Sequence, residues 1–294
     1  MTTSMVLTAH EKDLGGGFKV RRLLPSATKQ AVGPFLFFDH FGPLEAEARA
    51  DQDVRPHPHI GLATVTYLFE GAIDHRDSVG SVQRIEPGAI NWMTAGSGIV
   101  HSERTPPHMI GKVRRSHGLQ LWAGLPKEHE ETAPSFSHTP AAAIPVATVG
   151  GADVRVLIGK AFGLSSPVVT FSETLYLDVI LRAGQEIVFD TLPLEAAVYP
   201  VEGLIELDST ELAMHTMAVL DTKNAVRVSA ASAKAYARFV LIGGAPLDGR
   251  RFMWWNFVSS SKERIAQAAD DWSAQRFPKV PGETEWIPLP KSLP

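Results

Sequence analysis

The stretch Tyr67-Leu-Phe-Glu70-Gly71-Ala-Ile73-Asp74 decides the fold, because its pattern returns once further along the chain. The second copy reads Tyr199-Pro-Val-Glu202-Gly203-Leu-Ile205-Glu206, at an offset of 199 − 67 = 132 residues. Each copy reads as an apolar strand, a glycine turn and the start of another strand. A repeat of this kind favours two similar β domains in tandem.

Short runs of β-branched and aromatic residues occur throughout the chain, separated by Gly, Pro, Asp and Asn. Such spacing is typical of all-β sandwiches and barrels. Only one helix is predicted, over residues 261–275, with Ser260 and Glu263 as its capping box. Its apolar face is predicted to consist of Ile265, Ala268, Ala269 and Trp272.

A linker is predicted over residues 139–149, where the sequence TPAAAIPVATV combines two prolines with small side chains. This boundary predicts an N-terminal domain over 1–138 and a C-terminal domain over 150–294 that includes the helix. The proline-rich tail after Phe277 is predicted to form an extended strap.

Composition narrows the possible functions. The 294 residues are 44% hydrophobic and carry a net charge of −4, which fits a folded protein and gives no bulk attraction to nucleic acid or anionic membranes. The short basic cluster of Lys112, Arg114 and Arg115 is interpreted as a solvated loop. The absence of cysteine leaves His, Asp and Glu as metal ligands and fits a reducing compartment. No signal peptide or membrane-spanning segment is recognisable, so we expect a cytoplasmic protein.

Ten of the eleven histidines precede residue 150, which points to chemistry in the first half. His57 and His59 lie two residues apart and each follows a proline, and His101 and Glu103 repeat that spacing. In an extended strand, residues i and i+2 point to the same face at a spacing of about 7 Å. The segment between the two pairs contains four strand-like runs, so it is long enough to fold back and bring the pairs together. The sequence therefore predicts a metal site formed by His57, His59, His101 and Glu103.

The other histidines are interpreted differently. His75 is read as hairpin surface, and His40 and His117 as structural histidines or as partners of the ligands. The remaining four in this half lie in polar or proline-rich segments and are not expected to be ligands: His10, His108, His129 and His138.

Several segments together resemble the pirin family of the cupin superfamily: Phe35-Leu-Phe-Phe-Asp39-His40-Phe41-Gly42-Pro43, His57-Pro-His59-Ile-Gly61-Leu-Ala-Thr-Val-Thr-Tyr67, His75-Arg-Asp-Ser78, Gly96-Ser-Gly-Ile-Val-His101-Ser-Glu103 and Trp255-Asn-Phe-Val-Ser-Ser-Ser261. The resemblance implies an all-β chain of two tandem cupin (jelly-roll) barrels with one C-terminal helix. It also implies that the N-terminal barrel holds one iron-type metal through His57, His59, His101 and Glu103. Ala63 and Thr64 stand where many cupins have an additional acidic ligand.

The C-terminal barrel is expected to be metal-free. The repeat offset puts Phe189 and Thr191 opposite the first histidine pair, and an offset of 129 makes Ala230 and Ser232 the counterparts of His101 and Glu103. None of these side chains is a typical metal ligand at such a site, so we expect one metal per chain.

Two functions fit the resemblance. In the first, the protein is a dioxygenase of the quercetin 2,3-dioxygenase type, with a small aromatic substrate, O2 and Glu103 as the base that takes the 3-hydroxyl proton. In the second, it is a metal- or redox-responsive regulatory protein that binds a transcription factor or a metabolic enzyme and has no turnover. Fe(II) is the expected metal, and Ni, Cu, Mn or Zn also suits the ligand set.

Overall fold

A computed structural model describes residues 3–14, 18–48, 53–231 and 236–291 of the chain. The strands of the first half are β1 (Thr3–Thr8), β2 (His10–Asp13), β3 (Lys19–Leu24), β4 (Phe35–Ala46), β5 (Val54–His59), β6 (Leu62–Glu70), β7 (Ile73–Asp77), β8 (Val82–Ile85), β9 (Ile90–Thr94), β10 (Ile99–Arg104), β11 (Arg114–Gly124), β12 (Ser135–Thr139) and β13 (Val146–Val149). Those of the second half are β14 (Ala152–Ile158), β15 (Lys160–Ala161), β16 (Leu164–Ser165), β17 (Thr174–Arg182), β18 (Glu186–Phe189), β19 (Glu195–Glu202), β20 (Ile205–Leu207), β21 (Thr210–Leu212), β22 (Thr216–Leu220), β23 (Val226–Ala230), β24 (Tyr236–Gly244), β25 (Phe252–Trp254) and β26 (Phe257–Ser259), followed by helix α1 (Lys262–Ser273). Single turns of 3₁₀ helix occur at Pro107–Met109, Lys127–His129 and Ala141–Ala143.

The chain forms two compact units. The N-terminal barrel comprises residues 13–20, 40–141 and 247–294, and the C-terminal barrel comprises residues 1–12, 21–39 and 142–246. No helix in the described ranges is long and apolar enough to cross a membrane.

Each unit is built mainly on one seven-stranded and one four-stranded sheet, and the described residues also form the two-stranded sheets β15-β16 and β25-β26. The two larger sheets with most of their strands in the N-terminal barrel have the orders β12-β9-β6-β11-β4-β3-β2 and β5-β10-β7-β8. In the C-terminal barrel they are β1-β22-β19-β24-β17-β14-β13 and β18-β23-β20-β21. Two sheets of this kind per unit confirm the predicted tandem double-sheet architecture.

The sequence repeat corresponds to the same local structure in both barrels. Gly71 ends β6 at φ 90° and Gly203 ends β19 at φ 72°, and L side chains rarely adopt such values. A Cβ at Gly71 would lie 2.5 Å from the Arg115 carbonyl oxygen, and one at Gly203 would lie 2.5 Å from that of Tyr236. Each glycine therefore allows the chain to turn tightly against the backbone of the next long strand.

Helix α1 has the predicted apolar face but a different N-cap. Ser261 caps the helix, since its Oγ accepts a hydrogen bond from the backbone N–H of Arg264 at 3.2 Å. Ser260 instead donates hydrogen bonds to the carboxylate of Glu130. Four residues form the buried face, as expected: Ile265, Ala268, Ala269 and Trp272.

The two units do not contain the N- and C-terminal segments that the predicted domains 1–138 and 150–294 assign to them. The buried face of α1 packs with Ile60, Val100 and Phe257, so the helix and tail belong to the N-terminal barrel. The predicted linker 139–149 is ordered at its end, where β13 pairs with β14. An apolar stripe shows that a helix is covered, but it does not identify the surface that covers it.

Candidate metal centre

Strands β5 and β10 bring the two predicted pairs together. His57 lies directly opposite His101, and the two strands are antiparallel neighbours. Strand β5 is the edge of its sheet, where Pro56 and Pro58 are tolerated because one side of the strand needs no N–H donor for the ladder. The local sequence thus favours an extended edge strand with two imidazoles on one face.

Three histidines converge inside the N-terminal barrel. One ligand atom each of His57, His59 and His101 lies within 4.8 Å of the others, and the three side chains are buried. The Nε2 atoms of His59 and His101 are 3.1 Å apart. Two nitrogens bound at right angles to one ion at about 2.1 Å would have nearly this separation.

The protonation of these rings suits metal binding. His57 donates its Nδ1–H to the Arg55 carbonyl oxygen at 2.9 Å, which leaves Nε2 with the lone pair of the neutral ring. Burial lowers the pKa of His57 to about 4. Burial, and then repulsion from His57, lowers the pKa of both His59 and His101 well below the usual value. Three buried neutral imidazoles fit a first-row divalent metal.

Glu103 follows His101 on β10 and lies opposite His75 of β7. Burial raises the pKa of its carboxyl group, and the nearby His75 opposes this effect. Its carboxylate is not part of the group of atoms within 4.8 Å. Ligation by Glu103 therefore stays a prediction.

His75 is buried, so its interpretation as hairpin surface is wrong. Its Nε2–H donates to Oδ2 of Asp77 at 2.9 Å, and its ring centroid is 5.3 Å from that of His101. The ring also stacks on Phe136, at 4.3 Å between centroids. The spacing of His75 and Asp77 repeats the i, i+2 pattern of the ligand pairs, and this signal could have identified them as residues of the barrel interior.

The buried His40 and His117 and the half-buried His138 pair away from the cluster. The Nε2 atoms of His40 and His117 are 2.8 Å apart, which fits the structural alternative for both. His138 forms a 2.7 Å hydrogen bond through Nδ1 to Oδ1 of Asn91.

The C-terminal strap binds the back of the ligand strands. Ser102, between His101 and Glu103, donates its hydroxyl to Glu283 at 2.5 Å. Arg104 forms ion pairs with Glu283 and Glu285. The backbone N–H of Ile287 donates to the carbonyl oxygen of Pro56 on β5 at 2.8 Å. The predicted strap is therefore confirmed and braces both strands.

Three of the four equivalent positions of the C-terminal barrel are apolar, and the fourth, Thr191, is exposed. Phe189, the expected counterpart of His57, lies opposite Val226, as His57 lies opposite His101. The counterparts of His101 and Glu103 are therefore Val226 and Val228 instead of Ala230 and Ser232, the last of which lies outside the described residues. The observed Phe and Val side chains belong to the hydrophobic core.

Comparison with known proteins agrees with this architecture. The family pattern described as Pirin matches residues 17–123, and the one described as the Pirin C-terminal cupin domain matches residues 176–278. A Pirin-like protein of Caulobacter vibrioides is 45% identical over 98% of this chain and 99% of its own length. The chain belongs to the pirin family.

Two further proteins are similar to this chain over most of their length. Mouse pirin is 33% identical over 91% of either chain. A crystal structure of quercetin 2,3-dioxygenase from Acinetobacter baumannii superposes with a TM-score of 0.91 at 33% identity and covers 99% of this chain and 95% of that one. The expected pair of cupin domains is confirmed.

The lowered histidine pKa values predict that acid destabilises the metal-free protein. Between pH 6.5 and about 4 the unfolded chain binds a proton at His57 that the folded chain does not, so stability falls as the pH falls through this window. At pH 5 the loss from His57 alone is about 2 kcal/mol. We expect a lower Tm at pH 5 than at pH 7.5. The His57→Gln variant should show a smaller difference, and an equal difference in both proteins would contradict the assignment.

Proposed function

We propose that this chain is a metal-dependent dioxygenase that cleaves a flavonol such as quercetin with O2. The observation that carries the proposal is the set of three buried neutral imidazoles in one barrel. The similarity to the quercetin 2,3-dioxygenase from Acinetobacter baumannii supports the same reaction class.

His57, His59, His101 and Glu103 would hold one divalent metal, for which we propose Fe(II). Ni, Cu, Mn and Zn share its acceptance of imidazole and carboxylate ligands. When bound, the metal supplies a Lewis acid for substrate oxygen atoms and the redox chemistry that O2 requires. The C-terminal barrel has Phe189, Val226 and Val228 at three of the equivalent positions and Thr191 at the fourth, so the proposal requires one metal per chain.

Glu103 is proposed as the base that accepts the proton of the flavonol 3-hydroxyl group. The role requires a carboxylate within hydrogen-bond reach of the hydroxyl oxygen, and Glu103 lies two residues from His101 on β10. His75 faces Glu103 across the β7–β10 ladder and is held in place by Asp77. The aromatic rings of Trp122 and Phe136 contact His59 and His75, and they would limit access of water to the same space.

The test compares flavonol cleavage per bound metal in the wild type, Glu103→Gln and Glu103→Asp. Gln cannot accept the proton, and we expect its rate to fall by about 10²-fold or more. Asp retracts the carboxylate by one methylene, which costs up to about 10²-fold in rate. Quercetin loss and O2 uptake are measured together, and metal content is determined for every sample.

Two outcomes of this test would change the assignment. Equal turnover per metal in all three proteins would exclude Glu103 as the base. Absence of turnover in metal-loaded wild type would favour the alternative of a metal- or redox-responsive regulatory protein, for which only metal occupancy responds to these substitutions.

A further inference from the structure

A row of polar side chains crosses the seven-stranded sheet of the N-terminal barrel. Thr66 of β6 lies directly opposite Asn91 of β9 on one side and Gln120 of β11 on the other. We call these three residues the polar triad. Thr66 and Asn91 are buried.

The polar triad faces the barrel interior. Two positions away from the triad on the same three strands are Thr64, Met93 and Trp122. They pair across the strands as the triad residues do, so their side chains lie on the same face of the sheet as the triad. The Trp122 ring lies 5.1 Å from that of His59, so this face is the one turned toward the histidine cluster.

The hydrogen bonds of the triad leave amide donors available. Thr66 donates its hydroxyl to Oε1 of Gln120 at 2.9 Å, and Oδ1 of Asn91 bonds to the ring of His138 at 2.7 Å. Both of these hydrogen bonds use the amide oxygen, so neither occupies the NH₂ group of Asn91 or Gln120.

The C-terminal barrel shows that the fold itself does not need this triad. At the repeat offset, Val198 takes the place of Thr66 (198 − 66 = 132). Val198 lies opposite Ala218 on one side and Leu241 on the other, and all three are fully buried in a hydrophobic core. The same three-strand register is therefore filled by Val, Ala and Leu in the barrel without the histidine cluster.

We propose that the polar triad determines specificity by binding the oxygen atoms of a hydroxylated aromatic ligand held at the histidine cluster. This inference rests on the proposed function. The amide NH₂ groups of Asn91 and Gln120 donate to carbonyl and phenolic oxygens, and Thr66 orients Gln120 through its hydrogen bond. Trp122 and Phe136 supply apolar contact for the rings of the same ligand.

The test transfers the apolar residues of the C-terminal barrel to the triad, as Thr66→Val, Asn91→Ala and Gln120→Leu, singly and together. Metal-loaded protein is titrated with quercetin in the absence of O2, and binding is followed by the visible absorbance of the flavonol. Loss of two hydrogen bonds predicts about tenfold weaker binding or more in the triple variant. Metal content and Tm should stay at or above the wild-type values, because the same fold already accommodates these side chains.

A second ligand separates specificity from structure. Flavone without hydroxyl groups should bind the wild type and the triple variant with similar affinity, so the preference for quercetin shrinks in the variant. The control is Gln267→Leu, which removes an exposed amide of α1 that is not part of the polar triad. This variant should keep the wild-type preference for quercetin over flavone.

The outcomes are distinguishable. Unchanged quercetin affinity and preference in metal-loaded variants would overturn the role of the polar triad and leave the proposed function intact. Absence of quercetin binding to the metal-loaded wild type would overturn the proposed function and this inference with it. If the triple variant loses metal, the three single variants are used for the test instead. A wild-type preference for quercetin over flavone in all three would contradict the proposal.

Discussion

Replacing His101 with alanine is expected to remove most of the metal from the purified protein, and His57→Ala should do the same. Each change removes one of three imidazoles whose ligand atoms lie within 4.8 Å of one another. Because changes in residues that merely orient ligands already cost about 10–100-fold in metal affinity, we expect the loss of a ligand to cost at least about 100-fold. Elemental analysis after dialysis measures the metal retained per chain.

The matched control is His108→Ala, which removes an exposed histidine outside the cluster. It should retain the wild-type metal content. Thermal melting of the metal-free proteins shows whether each variant is folded. Near-full occupancy in both His57→Ala and His101→Ala would exclude the histidine cluster as the metal site.

Glu130→Gln is expected to destabilise the protein by about 2 kcal/mol, because it removes the charge of the buried carboxylate beside Arg251 and leaves that guanidinium with the Asp248 carboxylate, which is 47% exposed, as its ion-pair partner. The Glu130 carboxylate lies 2.6 Å from Nε of Arg251, and the two side chains are only 6% and 3% exposed. It also accepts hydrogen bonds from the backbone N–H and hydroxyl of Ser260. These contacts fix the segment that leads into α1, so we expect the midpoint of urea unfolding to fall.

The neighbouring Glu131 provides the control. It pairs with Arg264 at 2.9 Å, but its side chain is 54% exposed. Solvent screening reduces the contribution of such a pair, and Glu131→Gln should cost less than about 1 kcal/mol. Similar losses in the two variants would show that the burial of Glu130 has no special energetic role.

The histidine ligands could be predicted because their geometry is local. Spacing of two residues on an extended strand determines that His57 and His59 share a face, whatever the rest of the fold does. The barrels could also be predicted, since turns such as that at Gly71 have a sequence signature. The position of Glu103 relative to the cluster depends on a bulge between β5 and β10 and on its side-chain conformation, which spacing does not specify.

The features that were missed depend on contacts between distant parts of the chain. Thr66, Asn91 and Gln120 form one row only because three strands pair in a particular register, and no local pattern encodes that register. The same is true of α1: its apolar stripe is visible in the sequence, but the surface formed by Ile60 and Val100 is not. Local periodicity thus predicts which side chains of a strand or helix share a face. The pairing of distant segments determines which of these faces contact each other.

The pairing of Ile287 with Pro56 has a consequence for solubility. An uncovered sheet edge is a template for pairing with other chains, and proteins avoid it by covering such edges or by placing proline there. Strand β5 has both protections. Pro56 and Pro58 lack N–H groups, and the backbone N–H of Ile287 in the tail donates a hydrogen bond to the Pro56 carbonyl oxygen. A protein cut after Phe277 would lose the second protection, so precipitation during purification would be an early sign of damage to the tail.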